Sequence, residues 1–94
     1  MSVQNKQSAV LANVASSAAS VTLFAANGRT SGRFVFNDST AILYIKFGST
    51  AASTTSHTIS VAAGAYFTFP APLYGGQVTA IWASANGFAR TTEW

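Results

Sequence analysis

The stretch Arg33-Phe34-Val35-Phe36-Asn37-Asp38-Ser39-Thr40-Ala41-Ile42-Leu43-Tyr44-Ile45-Lys46-Phe47 places two β-branched and aromatic runs on either side of a short polar break. Side chains of the first kind pack well on a pleated, half-buried surface, and Asn, Asp and Ser hydrogen-bond their own backbone in turns. The stretch therefore reads as strand, turn, strand. From residue 20 onward such runs alternate with Gly, Asn, Asp, Ser and Pro clusters at intervals of about ten residues, the spacing of a β-sandwich or barrel. Strands are expected over 20–25, 33–36, 41–47, 57–62, 65–69, 77–83 and 87–93, about seven in all, short and mainly antiparallel.

Turn chemistry supports this division. Asn27-Gly28, Asn37-Asp38-Ser39, Ala63-Gly64, Gly75-Gly76 and Asn86-Gly87 each fall between two apolar runs and supply left-handed or Asx-turn residues. Residues 48–56 are rich in Ser, Thr and Ala and read as a longer exposed loop; Pro70 and Pro72 mark an edge or a bend, because neither can donate to a ladder. Period-two alternation assigns Leu23, Phe34, Phe36, Leu43, Ile45, Phe47, Ile59, Val61, Phe67, Phe69, Val78 and Trp82 to the core. The 41–47 run differs, since Ile42 and Tyr44 make its second face apolar as well. That strand needs cover on both sides, from its own fold or from a neighbouring subunit.

With 94 residues there is room for a single domain. Charged residues make up 7% of the chain, against about 25% in an ordinary soluble domain. A surface dressed in Ser, Thr, Asn, Gly and Ala repels neighbours weakly and loses little side-chain entropy when covered, which suits a subunit of a dense assembly. The net charge of +3 comes from Lys6, Arg29, Arg33, Lys46 and Arg90 against Asp38 and Glu93, spread singly. No basic stripe exists for reading nucleic acid. No apolar run is long enough to span a membrane, no Leu-rich signal core is present, and the chain reads as soluble and made in the cytoplasm.

Residues 1–19 match neither the helical nor the strand period and offer little apolar area; they are expected to form an N-terminal arm, with the β-sandwich domain over 20–94. Catalytic, cofactor and metal sites are not expected. There is no cysteine, the two acids Asp38 and Glu93 sit at strand ends, and His57 has no nucleophile-elbow sequence with which to build a triad. Asp38 is read as a turn residue and His57 as a rim histidine. Among the aromatics that could stack on a sugar, Trp82 lies in an alternating run and is assigned to the core, whereas Trp94 is freer. Candidate interface residues are Val10, Leu11 and Val14 on the arm, Ile42 and Tyr44 on the two-sided strand, and Trp94.

Four segments carry a resemblance: Asn13-Val14-Ala15-Ser16-Ser17-Ala18-Ala19-Ser20-Val21-Thr22-Leu23, Phe36-Asn37-Asp38-Ser39-Thr40-Ala41-Ile42-Leu43-Tyr44-Ile45-Lys46, Ala63-Gly64-Ala65-Tyr66-Phe67 and Ile81-Trp82-Ala83-Ser84-Ala85-Asn86-Gly87. In this order and spacing, over residues 13–93, the chain resembles small virion proteins of tailed bacteriophages. The resemblance implies a structural role in the particle without catalytic residues, such as a capsid cement (decoration) protein or a head-tail or fibre component. The leading expectation is a cement protein bound to the major capsid protein lattice on the capsid surface, and the low charge and two-sided strand point to an oligomer, preferably a homotrimer. A tail or fibre module of the same fold, structural or binding glycans, is the alternative. Gly32, between Arg29 and Arg33, departs from the pattern and leaves the start of that strand open.

Overall fold

Where the β-branched and aromatic runs stand, the chain is extended. The computed structural model describes residues 7–94, in which there are eight strands and no helix. They are β1 (Val10–Ala15), β2 (Val21–Phe24), β3 (Arg33–Ser39), β4 (Leu43–Phe47), β5 (Ile59–Val61), β6 (Tyr66–Thr68), β7 (Val78–Trp82) and β8 (Gly87–Glu93). Sheet A has the order β1-β8-β3-β6 and sheet B the order β2-β7-β4-β5, with every pairing antiparallel. The fold is a small β-sandwich of eight strands rather than seven.

Only β4 and β5 are both consecutive in sequence and adjacent in a sheet; each of the other connections crosses from one sheet to the other. Crossing connections force inward side chains from distant segments together. The core joins Val35 and Ala89 of sheet A to Leu23, Leu43, Ile45, Val61, Val78, Ala80 and Trp82 of sheet B, with Phe24 and Phe69 closing one end edge to face at 5.4 Å.

The inward face of β3 is not the one hydrophobicity alone selects. Arg33, Val35 and Asn37 are buried, while Phe34 and Phe36, expected in the core, point out of sheet A. The reason is what the two polar side chains hold. Arg33 donates Nε to Glu93 Oε2 at 2.7 Å, Nη1 to the Gly76 and Tyr74 carbonyls at 2.7 and 3.0 Å, and Nη2 to the Ala25 carbonyl at 2.8 Å. Its guanidinium also lies over the Phe24 ring at 5.0 Å. Asn37 Nδ2 donates to the Ala41, Val61 and Ala62 carbonyls at 2.8, 2.9 and 3.2 Å, and its Oδ1 accepts from Ser39 Oγ and from the Trp82 indole N–H.

Arg33 thus fastens the β2–β3 and β6–β7 crossings, and Asn37 the β3–β4 and β5–β6 crossings. Buried donors that saturate otherwise orphaned carbonyls repay their own desolvation. No buried side-chain polar atom among the described residues is left unpaired. It follows that Asn37, Asp38 and Ser39 are strand rather than turn, and the chain reverses at residues 40–42.

Part of the expected arm, Val10–Ala15, is a strand of sheet A. All of β1 pairs with β8, from Val10 opposite Glu93 to Ala15 opposite Phe88, and Val14 packs on the core. The Trp82 amide then donates to the Ser17 carbonyl. Main-chain pairing with β8 compensates the backbone of a segment whose small side chains bury little. Residues 1–6 of the expected arm lie outside the described residues.

The connection between β4 and β5 folds back over the outer face of sheet B. Ala52 is buried and its amide donates to Ser20 Oγ; Thr79 Oγ1 donates to the Thr50 carbonyl; Lys46 Nζ donates to Ser56 Oγ. The loop thus covers part of this face and Tyr44 is half-buried against His57, while Ile42 stays 43% exposed and most loop residues face solvent as expected.

Candidate docking face

Because the loop covers part of sheet B, the more open face of the sandwich belongs to sheet A. Strand alternation and register place its outward side chains in rows. One row runs Leu11, Thr92, Phe34, Thr68; the next Asn13, Arg90, Phe36, Tyr66; the third Ala15, Phe88, Asp38. Leu11 is 75% exposed, Tyr66 67% and Phe88 39%, so large apolar groups stand in solvent with nothing described above them. Phe34 and Tyr66 stack diagonally across the β3–β6 pair with ring centres 5.4 Å apart.

Thr68, Thr92 and Asn13 stand among these apolar groups, and one ion pair brings charge to the face. Arg90 reaches Asp38 Oδ2 at 2.9 Å while its guanidinium lies 4.6 Å from the centre of the Phe88 ring. Both charges are about half exposed, so the pair adds little stability, on the order of 0 to 1 kcal/mol. Its effect is to hold Arg90 flat, leaving the face level. Asp38 is thus a surface partner of Arg90 and not the cap of its own turn. Gly87, at φ +93°, starts β8 beneath this corner: a Cβ there would strike the Asp38 carbonyl and the Ser39 backbone.

The six residues named from the sequence do not form one surface. Leu11 lies on the open face, Val10 is exposed at the start of the β1 edge, and Val14 faces the core. Tyr44 belongs to β4 of the other sheet, where its ring meets His57 edge-on at 4.8 Å, and Ile42 stands exposed in the reversal just before that strand. Trp94 is half-buried with its indole against Gly32, and its carbonyl accepts from the Gly32 amide and Thr30 Oγ1. Together with Val10, Asn27 and Arg29 it borders a shallow groove of about 330 Å³. Phe34 and Phe36, assigned to the core, are half-buried on the outer face, Phe88 is not singled out by the sequence, and Tyr66 is one of the aromatics that could stack on a sugar. No local signal finds them, because Arg33, Asn37 and Thr91 are the polar residues of β3 and β8 and yet form the buried face, so hydrophobicity alone turns the wrong face inward.

The reactive side chains are dispersed. His57 Nδ1 donates to the Ser53 carbonyl beside sheet B, Asp38 is on the outer face of sheet A, and Glu93 is paired with buried Arg33 at its end. Among the described residues no three of His, Cys, Asp and Glu gather into a metal-binding group. In comparisons with known proteins, the chain matches no family model, no characterised protein and no solved structure.

Proposed function

We propose that this chain is a structural subunit of a tailed-bacteriophage particle, a capsid cement protein that forms a homo-oligomer and docks on the major capsid protein lattice through the outer face of sheet A. The observation that carries this reading is the uncovered field of Leu11, Phe34, Phe36, Tyr66 and Phe88. Exposed apolar patches of this kind on small domains mark interaction sites. The sequence resemblance supplies the particle, and the low charge of the chain suits close packing.

The mechanism is passive. Three strands about 20 Å long and the shorter β6, about 4.8 Å apart, give a face on the order of 350 Å², under half of the roughly 800 Å² that each partner contributes to a standard interface. The remainder comes from the rim, where the β1 edge and the crossings adjoin the face. A subunit held this way bridges neighbouring capsid proteins and adds contacts that must break before they separate.

The test is a double substitution, Phe34→Ser with Tyr66→Ser. It should leave the melting temperature within a few degrees of wild type and abolish retention of the protein on particles. Full retention by a folded double variant would count against the face.

One observation favours a second reading, a tail or fibre module that binds glycans. Tyr66 is the most exposed aromatic and is backed by Phe34 at 30° between ring planes, an arrangement on which a sugar ring can stack. Saccharide binding that is lost in Tyr66→Ala would favour this reading over the cement role.

A further inference from the structure

An exposed sheet edge is a template for another strand, and monomeric proteins blunt their edges with short strands, bulges, charges or proline. Three of the four edges here are blunted. β5 and β6 are three residues long, β6 is followed by Pro70 and Pro72, and β2 carries a register shift between Thr22 and Phe24. β1 has none of these devices. It is six residues long, regular in register throughout, and lies in a part of the chain with no charged residue between Lys6 and Arg29.

The direction of its free main-chain groups follows from the ladder. The Ser16 amide donates to the Gly87 carbonyl, and hydrogen-bonded pairs recur every second residue in an antiparallel ladder. Val10, Ala12 and Val14 therefore bond to β8, and the N–H and C=O groups of Leu11, Asn13 and Ala15 point away from the sheet. Among the described residues no strand takes them up.

We propose that a second copy of this chain occupies this edge, β1 pairing antiparallel with β1 of the other copy across a two-fold axis at Asn13, so that sheet A continues through eight strands. Self-pairing fits on three counts. An axis perpendicular to the sheet keeps inward residues inward and outward residues outward in both copies. Centring on Asn13 uses every free residue of the strand, Asn13 opposite Asn13 and Leu11 opposite Ala15, with two hydrogen bonds in each such pair. Large then meets small on the outer side, Leu11 against Ala15, and on the inner side, Val14 against Ala12. The outer faces of the two copies merge into one surface with both Leu11 side chains at the seam. Such an interface is isologous and closes at two, in place of the trimer expected from the sequence. This inference rests on the geometry of β1 and stands apart from the virion reading, whose own test is retention on particles.

The chain has no cysteine, so one introduced thiol reports only on self-contact. Hydrogen-bonded antiparallel partners have Cα atoms about 5.5 Å apart, inside the range of about 4.4 to 6.8 Å that a disulfide spans. Under mild oxidation Asn13→Cys should form a covalent dimer, while Thr68→Cys, on the opposite edge of the same sheet, should not. In sedimentation equilibrium the wild type should be a dimer at micromolar concentration. Leu11→Lys, a change at an exposed position, should raise the dissociation constant at least about tenfold with an unchanged circular dichroism spectrum. A monomeric or trimeric wild type, or equal cross-linking of the two cysteine variants, would overturn the proposal.

Discussion

Replacing Arg33 by Met keeps a flexible stem of similar length against Phe24 and Phe69 but removes every hydrogen bond the guanidinium makes. Three main-chain carbonyls, those of Ala25, Tyr74 and Gly76, lose a close donor, and Glu93 loses its partner. An unsatisfied buried polar group costs about 1 to 3 kcal/mol, but a sum over all of them overstates the loss because water reaches the crossings. Glu93 is itself 21% exposed. The better guide is the roughly 3 to 5 kcal/mol lost when one member of a buried ion pair is removed. A change of 1 kcal/mol moves the melting temperature of a domain this small by about 4 to 8 °C, so Arg33→Met should lower it by roughly 12 to 40 °C.

Urea and thermal unfolding, followed by far-ultraviolet circular dichroism, read this directly. Arg33→Lys keeps the charge but not the planar fork that serves both crossings at once, and should fall between wild type and Arg33→Met. Adding Glu93→Leu to Arg33→Met removes the stranded carboxylate and should recover part of the loss, giving a coupling energy for the pair. If Arg33→Met melts within about 1 kcal/mol of wild type, packing alone holds the crossings and the reasoning about β3 is wrong.

Asn37→Asp is nearly isosteric but turns an amide donor shared by three carbonyls into a buried negative charge facing them; it should cost about 3 to 5 kcal/mol, measured as a shift in the urea midpoint at unchanged slope. Trp82→Ala removes the largest fully buried side chain and should cost about 3 to 5 kcal/mol by thermal unfolding, whereas an unchanged melt would put the indole outside the core.

The strands from β2 to β8 were legible because each is a short β-branched or aromatic run bounded by turn residues, and the expected spans match the observed ones to within a few residues. Three features were not. The parity of β3 was misread because Phe34 and Phe36 are more apolar than Arg33 and Asn37, and no local pattern shows that two polar side chains will be saturated by carbonyls from crossings far away in sequence. β1 escaped because its small residues give a weak period; its order comes from the main chain of β8, some 80 positions later. Cover over β4 was foreseen as a need, yet the 48–56 segment looked like an exposed loop because the side chains that hold it, Ser20, Thr79 and Lys46, lie elsewhere in the chain, while its own Ser and Thr content reads as solvated. The interface followed from these. With Phe34 and Phe36 assigned to the core, the apolar outer face of sheet A could not be read from the sequence, and the candidate interface residues fell on β1, β4 and the C-terminus instead.

The most direct test of the structural role is the copy number of this chain in purified tailed-phage particles, measured by quantitative mass spectrometry against the major capsid protein. The account predicts copies comparable in number to the capsid subunits, released together with loss of shell stability. Absence from the particle, or only a few copies confined to the tail, would contradict it.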